Sequence, residues 1–186
     1  MKLNIGCGEN KLEGFINIDI VEGPIQGTKL EVHPDLIWDL TKEPLPYEDG
    51  SVDTIYWLHC IEHIQMRYWR RFFEEYHRLL KKDGDLVLAF PEFEICAKYF
   101  VDNYRGMKEF WRNTLYGRQL HKGDYHIAPV MSEDVSQMLL DCGFKNIISG
   151  PEPVGDYYTI MRANRSVLLL REDIIANEIF GVELPV

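Results

Sequence analysis

The residues able to do chemistry sit in a few short stretches. Gly6 and Gly8, one residue apart in LNIGCGEN, follow an apolar run at the start of the chain. Such a pair lets backbone approach a bulky ligand, because no Cβ intervenes. Asp19 falls near the end of FINIDI. A carboxylate there can accept from both hydroxyls of a ribose, and it equally suits a turn at a strand end. Asp39 in WDL offers an acceptor to an adenine amino group, with Leu40 against the ring; its alternative is an Asx turn. His59, His63, His121 and His126 are candidate general bases, since imidazole titrates near neutrality. His59 leads by its place at a strand end and His126 by its loop, each with a structural histidine as the alternative reading.

Three strand ends in succession thus suit the parts of an adenosyl ligand. The dinucleotide fingerprint G-x-G-x-x-G would need glycine at position 11, where this chain has Lys11. That counts against NAD or FAD and leaves a ligand without a diphosphate.

Positioning these groups requires alternating strands and helices, the pattern of a mostly parallel α/β sheet. Lys2–Ile5, Phe15–Ile20, Leu36–Trp38, Val52–Leu58, Leu86–Phe90, Phe144–Ile148 and Tyr157–Arg162 read as strands. Ile64, Tyr68, Phe72, Tyr76 and Leu79 recur at helical spacing, so the pattern predicts a helix over Ile64–Lys82, stopped by Asp83-Gly84. Ser132 reads as the N-cap of a helix that Gly143 ends. Only eleven positions separate Gly8 from Asp19, so the first helix is expected to be about one turn, around Asn10–Glu13.

Residues 92–131 read as an insertion: helices Glu94–Tyr104 and Met107–Tyr116, then the polar loop RQLHKGDYHIAP. It would lie over the carboxyl ends of the strands, where open parallel sheets bind ligands. Its Lys98, Arg105, Lys108, Arg112, Arg118 and Lys122 suit a lid over an anionic substrate, or else a solvated basic face. Residues 166–186 read as a helical tail packing on the domain or pairing two subunits into a homodimer.

The remaining bounds are broad. The 186 residues suit one domain over 1–165 plus the tail, with 46% hydrophobic and 27% charged residues. A net charge of −10 argues against a nucleic-acid partner. No apolar stretch would cross a bilayer, no secretory leader is recognisable, and four scattered cysteines read as reduced thiols, so a cytoplasmic protein is expected.

From about Lys2 to Arg162 the chain resembles a class I S-adenosylmethionine-dependent methyltransferase. LNIGCG, GFINIDI, WDLTKEPLPYEDGSVDTIYWLHCIEHI, HRLLKKDGDLVLAFP and LLDCGFKNI carry the resemblance in order. It implies a three-layer α/β sandwich with a twisted, mostly parallel seven-stranded sheet, the last strand antiparallel and a helical insertion after the fifth. It implies S-adenosyl-L-methionine as cofactor, with the Gly6-Cys7-Gly8 turn against its methionine part and Asn4, where many relatives place an acid, also among the cofactor-binding residues. Asp19 would take the ribose, with Ile20 beside it among the cofactor-binding residues, Asp39 and Leu40 would take the adenine, and Leu58 and His59 would border the methyl. His59-Cys60-Ile61-Glu62-His63 is similar to the E-x-x-E-H segment of some metal-binding methyltransferases, but position 59 is histidine and E-H-I also occurs in metal-free relatives, so no metal is assigned. The expected function is methyl transfer to a small molecule, anionic or sugar-like. The alternatives are a non-catalytic cofactor-binding module and a methyltransferase acting on a macromolecule.

Overall fold

The computed structural model describes residues 1–25, 28–121, 123–152 and 155–165, excepting the side chains of 103–108 and 152–158. The tail, and with it any dimer contact through 166–186, lies outside the described residues.

Seven strands form one sheet: β1 (Lys2–Ile5), β2 (Ile16–Asp19), β5 (Leu36–Ile37), β6 (Val52–Leu58), β7 (Leu80–Pro91), β8 (Lys145–Glu152) and β9 (Gly155–Asn164). Their order across it is β5-β2-β1-β6-β7-β9-β8. All pairings from β5 to β7 are parallel, whereas β9 runs antiparallel to both β7 and β8. The expected mostly parallel sheet with its last strand antiparallel is present. A small antiparallel ribbon, β3 (Gly23–Pro24) and β4 (Glu31–Val32), stands apart from it.

The core forms where α1 (Met66–Leu79) covers the sheet. Its Trp69, Phe72, Phe73, Tyr76 and Leu79 are buried at three- and four-residue steps. Trp57 of β6 stacks on Phe72 at 5.5 Å and meets Phe73 and Tyr76 edge-on at 5.8 and 5.2 Å. Burying a large apolar side chain contributes about 1.5–3 kcal/mol, so this aromatic knot holds β6, and hence its carboxyl end, in place.

Several boundaries differ from the sequence expectation. Helix α1 ends at Leu79 and Leu80 already lies in β7, because its side chain is fully buried as a sheet residue. The pairing of β7 jumps from Val52↔Leu80 to Thr54↔Asp85, so Lys81-Lys82-Asp83-Gly84 forms a bulge and not a helix end. Ser132 is the first residue of α3 (Ser132–Asp141) and Met131 occupies the cap position without a side-chain cap. The Ser132 amide donates instead to the Glu92 carboxylate at 3.1 and 3.2 Å.

The insertion is one helical segment, α2 (Phe93–Tyr116). Yet Tyr99 and Trp111 stack at 5.6 Å, while twelve residues of straight helix would separate them by about 18 Å. The segment therefore bends between them, near the junction expected between two helices.

No helix forms at Asn10–Glu13. The short crossover from β1 to β2 is held by two asparagines paired in register across the strands. Asn4 donates to Asn17 Oδ1 at 2.9 Å and to Asn10 O at 3.0 Å. Asn17 Oδ1 accepts from Leu12 N at 2.8 Å, and its Nδ2 donates to Leu12 O, Phe15 O and Asp35. Side-chain amides thus supply the partners that a helix would have given the backbone.

Candidate functional site

The turn after β1 is built by its glycines. Gly6 and Gly8 have φ of 68° and 52°, a region that side chains rarely adopt. A Cβ on Gly6 would lie 2.1 Å from Cys60 Sγ, while a Cβ on Gly8 would meet nothing within 4 Å. Gly6 is thus demanded by packing, and Gly8 opens onto free space. The amides of Gly6 and Cys7 both donate to Ile18 O, at 2.8 and 3.1 Å.

Asp19 closes the turn from β2. Its Oδ2 accepts from Gly8 N at 2.8 Å and its Oδ1 from Val21 N at 3.0 Å. Each carboxylate oxygen has a second lone pair left for a ligand hydroxyl.

Between these ends opens a cavity of about 520 Å³, within the range of small-molecule sites. Asn4, Gly6, Cys7, Gly8, Asp19, Leu58 and His59 of the expected site all line it. Asn4 does so as a buried member of the asparagine pair. The structure does not bring Ile20, Asp39, Leu40 or His126 to this wall. Ile20 points to solvent, and Leu40 is buried in the main core. Asp39 makes the Asx turn, accepting from Thr41 N at 3.0 Å and Thr41 Oγ1 at 2.5 Å. Burial would raise its pKa, but hydrogen bonds from Thr41 and Lys42 outweigh that and hold it below the ordinary carboxylate value.

Two groups complete the cavity. Ile25, Leu30 and Val32 of the β3–β4 ribbon, with Leu12 and Val21, supply an apolar side. The sequence pattern marks no element between Ile20 and Leu36, and Gly23–Pro24 proves to be strand β3. Arg118 and His121 come from the polar loop after α2 and line the same cavity as the strand ends. Arg118 Nε is 3.7 Å from Asp124. Gly123 N donates to His121 Nδ1 at 3.1 Å, which leaves the proton of the neutral ring on Nε2. Of the other lid cations, the side chains of Arg105 and Lys108, and Lys122 as a whole, fall outside the described residues.

His59 follows β6 with φ 51°, and its amide donates to Ala89 O at 2.7 Å. A histidine held in this region carries backbone strain, a feature that concentrates at functional positions. His126 Nδ1 instead donates to Thr114 O at 2.8 Å, and its ring packs edge-on against His63 at 4.7 Å. Burial, then the charge of His63, pushes its pKa down to about 4, so it stays neutral and is a poor base at neutral pH. Burial pushes the Cys7 thiol up to about 11, with Asp19 adding to the rise, so it remains protonated.

Residues 3–88 match the methyltransferase-domain family. The fold is similar to that of an S-adenosylmethionine-dependent methyltransferase from Archaeoglobus fulgidus, at 17% identity and a TM-score of 0.58, covering 88% of this chain and 85% of that one. It is also similar to the 1,6-didemethyltoxoflavin-N1-methyltransferase of Burkholderia thailandensis, solved with bound 1,6-didemethyltoxoflavin and S-adenosylhomocysteine, at 15% identity and a TM-score of 0.55, covering 89% and 71%. At such identities these likenesses are of fold. A 51-residue stretch is 39% identical to part of the phenylalanine–tRNA ligase alpha subunit of Streptococcus mutans, covering 27% of this chain but only 14% of that protein. The methyltransferase-domain match over residues 3–88 and the shared fold make the chain similar to the class I S-adenosylmethionine-dependent methyltransferases, the Rossmann-like family.

Proposed function

We propose that the protein transfers the methyl group of S-adenosylmethionine to a small-molecule acceptor within this cavity. The observation that carries the reading is the convergence of Gly8, Asp19, Leu58 and His59, from three different strand ends, on one cavity. Asp19 would accept from the ribose hydroxyls while keeping its grip on Gly8. The adenine would pack on the apolar side formed by Ile25, Leu30 and Val32, a role the sequence had suggested for Leu40. The methyl would face Leu58 and His59.

The sulfonium supplies the electrophile, so the protein's part is alignment and exclusion of water. His59 is the base best placed for a hydroxyl acceptor, since His126 is neither at the wall nor basic enough. Arg118 in the roof supports an acceptor bearing carboxylate or phosphate, or the carboxylate of the cofactor itself. A roof over the strand ends favours a small acceptor above a macromolecule. All four cysteines are free thiols, which supports a reducing, cytoplasmic setting. Among the described residues no helix is long and apolar enough to cross a membrane.

The test is transfer of isotopically labelled methyl to separated small-metabolite, RNA and protein fractions. Label should enter the small-metabolite fraction, with one S-adenosylhomocysteine formed per methyl. Label only in RNA or protein, or none anywhere while S-adenosylhomocysteine still binds, contradicts the proposal.

A further inference from the structure

Beside the cavity, Glu62, His63 and His126 each bring one ligand atom to within 4.8 Å of the other two. Glu62 and His63 lie on the single 3₁₀ turn Ile61–His63 after β6. His126 arrives from the loop after α2, and that loop is laced to the turn. Ile127 N and Ala128 N donate to Glu62 O at 2.9 and 3.2 Å, and His63 Nδ1 donates to Tyr125 O at 3.0 Å. His126 Nδ1 donates to Thr114 O at 2.8 Å.

A carbonyl can only accept, so in both rings the proton is on Nδ1 and Nε2 presents its lone pair. Imidazoles backed in this way by carbonyls are the arrangement that orients histidine ligands toward a metal. The carboxylate of Glu62 is 2% exposed and the two rings are half-buried, so the group is sheltered but reachable.

We propose that Glu62, His63 and His126 form a binding site for a divalent transition-metal cation. Two imidazoles and one carboxylate suit zinc, manganese, iron(II) or cobalt better than magnesium or calcium, which prefer oxygen ligands throughout. Ligand atoms about 2.1 Å from a shared ion lie about 3.4 Å apart in tetrahedral geometry, so small side-chain rotations close the site. His59 Nδ1 lies 3.9 Å from Glu62 Oε1, which puts the site next to the cavity wall. A cation there would also tie the roof loop to the end of β6. Binding stands on these three residues alone. Only its consequence, polarising an oxygen-bearing acceptor, rests on the methyl-transfer reading.

The test uses tag-free full-length protein, treated with chelator and then titrated with zinc, cobalt and magnesium by calorimetry, with visible absorption recorded for cobalt. One equivalent of zinc or cobalt should bind, the cobalt form should show ligand-field bands, and magnesium should bind at least a hundredfold more weakly. His126→Gln and His63→Gln should each weaken zinc binding at least a hundredfold, with melting of the chelator-treated variants as the folding control. Should His126→Gln fail to fold, the half-buried His63→Gln carries the test. Absence of stoichiometric zinc or cobalt binding, or equal affinity in the folded variants, overturns the site. S-adenosylhomocysteine is titrated in parallel, so loss of the metal site and loss of the cofactor reading register separately.

Discussion

Asp19 and Gly8, from two adjacent strand ends, are joined by a hydrogen bond of 2.8 Å from the glycine amide to the carboxylate. The acid proposed to hold the ribose is therefore also the clasp that shapes the glycine turn. Under the proposed function, ligand and turn would share one carboxylate, each using different lone pairs of it. Pre-forming the turn in this way lowers the ordering cost of binding.

The two glycines should respond differently to alanine. Gly6→Ala meets both a positive φ and Cys60 Sγ, and should lose about 2–4 kcal/mol of stability. Cys60→Ala in the same chain should restore part of that loss. Gly8→Ala meets no atom within 4 Å and should cost about 1 kcal/mol, with its larger effect on ligand affinity. Urea denaturation of the three variants measures this, and equal costs for Gly6 and Gly8 would refute the packing role of Cys60.

Asn17→Ala removes the partner of Asn4 and of the Leu12 backbone at a buried position. It should destabilise by about 2–3 kcal/mol, since buried polar groups are left unpaired. A change under about 0.5 kcal/mol in denaturant titration, the size of an ordinary surface substitution, would mean that the crossover is held otherwise.

Helix α3 is capped from a distance. Glu92 accepts from Ser132 N and, at 2.8 Å, from Thr159 Oγ1. Glu92→Ala should therefore cost about 1–3 kcal/mol, and Ser132→Ala should stay within about 0.5 kcal/mol, well below a true N-cap. The reverse ranking in thermal melts would restore Ser132 to the cap.

Asp35 supplies an acid-sensitive contribution. A hydrogen bond from Lys11, then those from the Asn17 amide and side chain, hold its pKa down to about 2. The folded value lies below the unfolded one of about 3.9, so its stabilisation is complete above about pH 4 and is lost as pH falls toward 2. Stability curves of wild type and Asp35→Asn should converge over that interval. Curves that stay parallel through it would remove Asp35 from the acid response.

The strand ends and the alternation around them were legible because Gly6, Gly8, Asp19 and the apolar runs are local signals. The aromatic stripe of α1 was legible for the same reason. The rest depends on partners distant in the chain. Leu80 leaves the helix because the sheet buries it, and Ser132 yields its capping role to a carboxylate forty positions away. Asn4 and Asn17 replace a helix through a pairing visible only once the strands are in register. Asp39 and Leu40 satisfied the expected spacing yet turned to local bonding and to the core. Arg118 and His121 reach the cavity only because α2 bends and carries its loop back to it.

The most direct test is calorimetric binding of S-adenosylhomocysteine to wild type and to Asp19→Ala, with melting temperature as the folding control. The wild type should bind clearly and the variant at least tenfold more weakly, as loss of hydrogen bonds to a charged acceptor costs about 1.5–3 kcal/mol. Equal affinity in the two proteins, or no binding by the wild type, would contradict the placement of the cofactor between these strand ends.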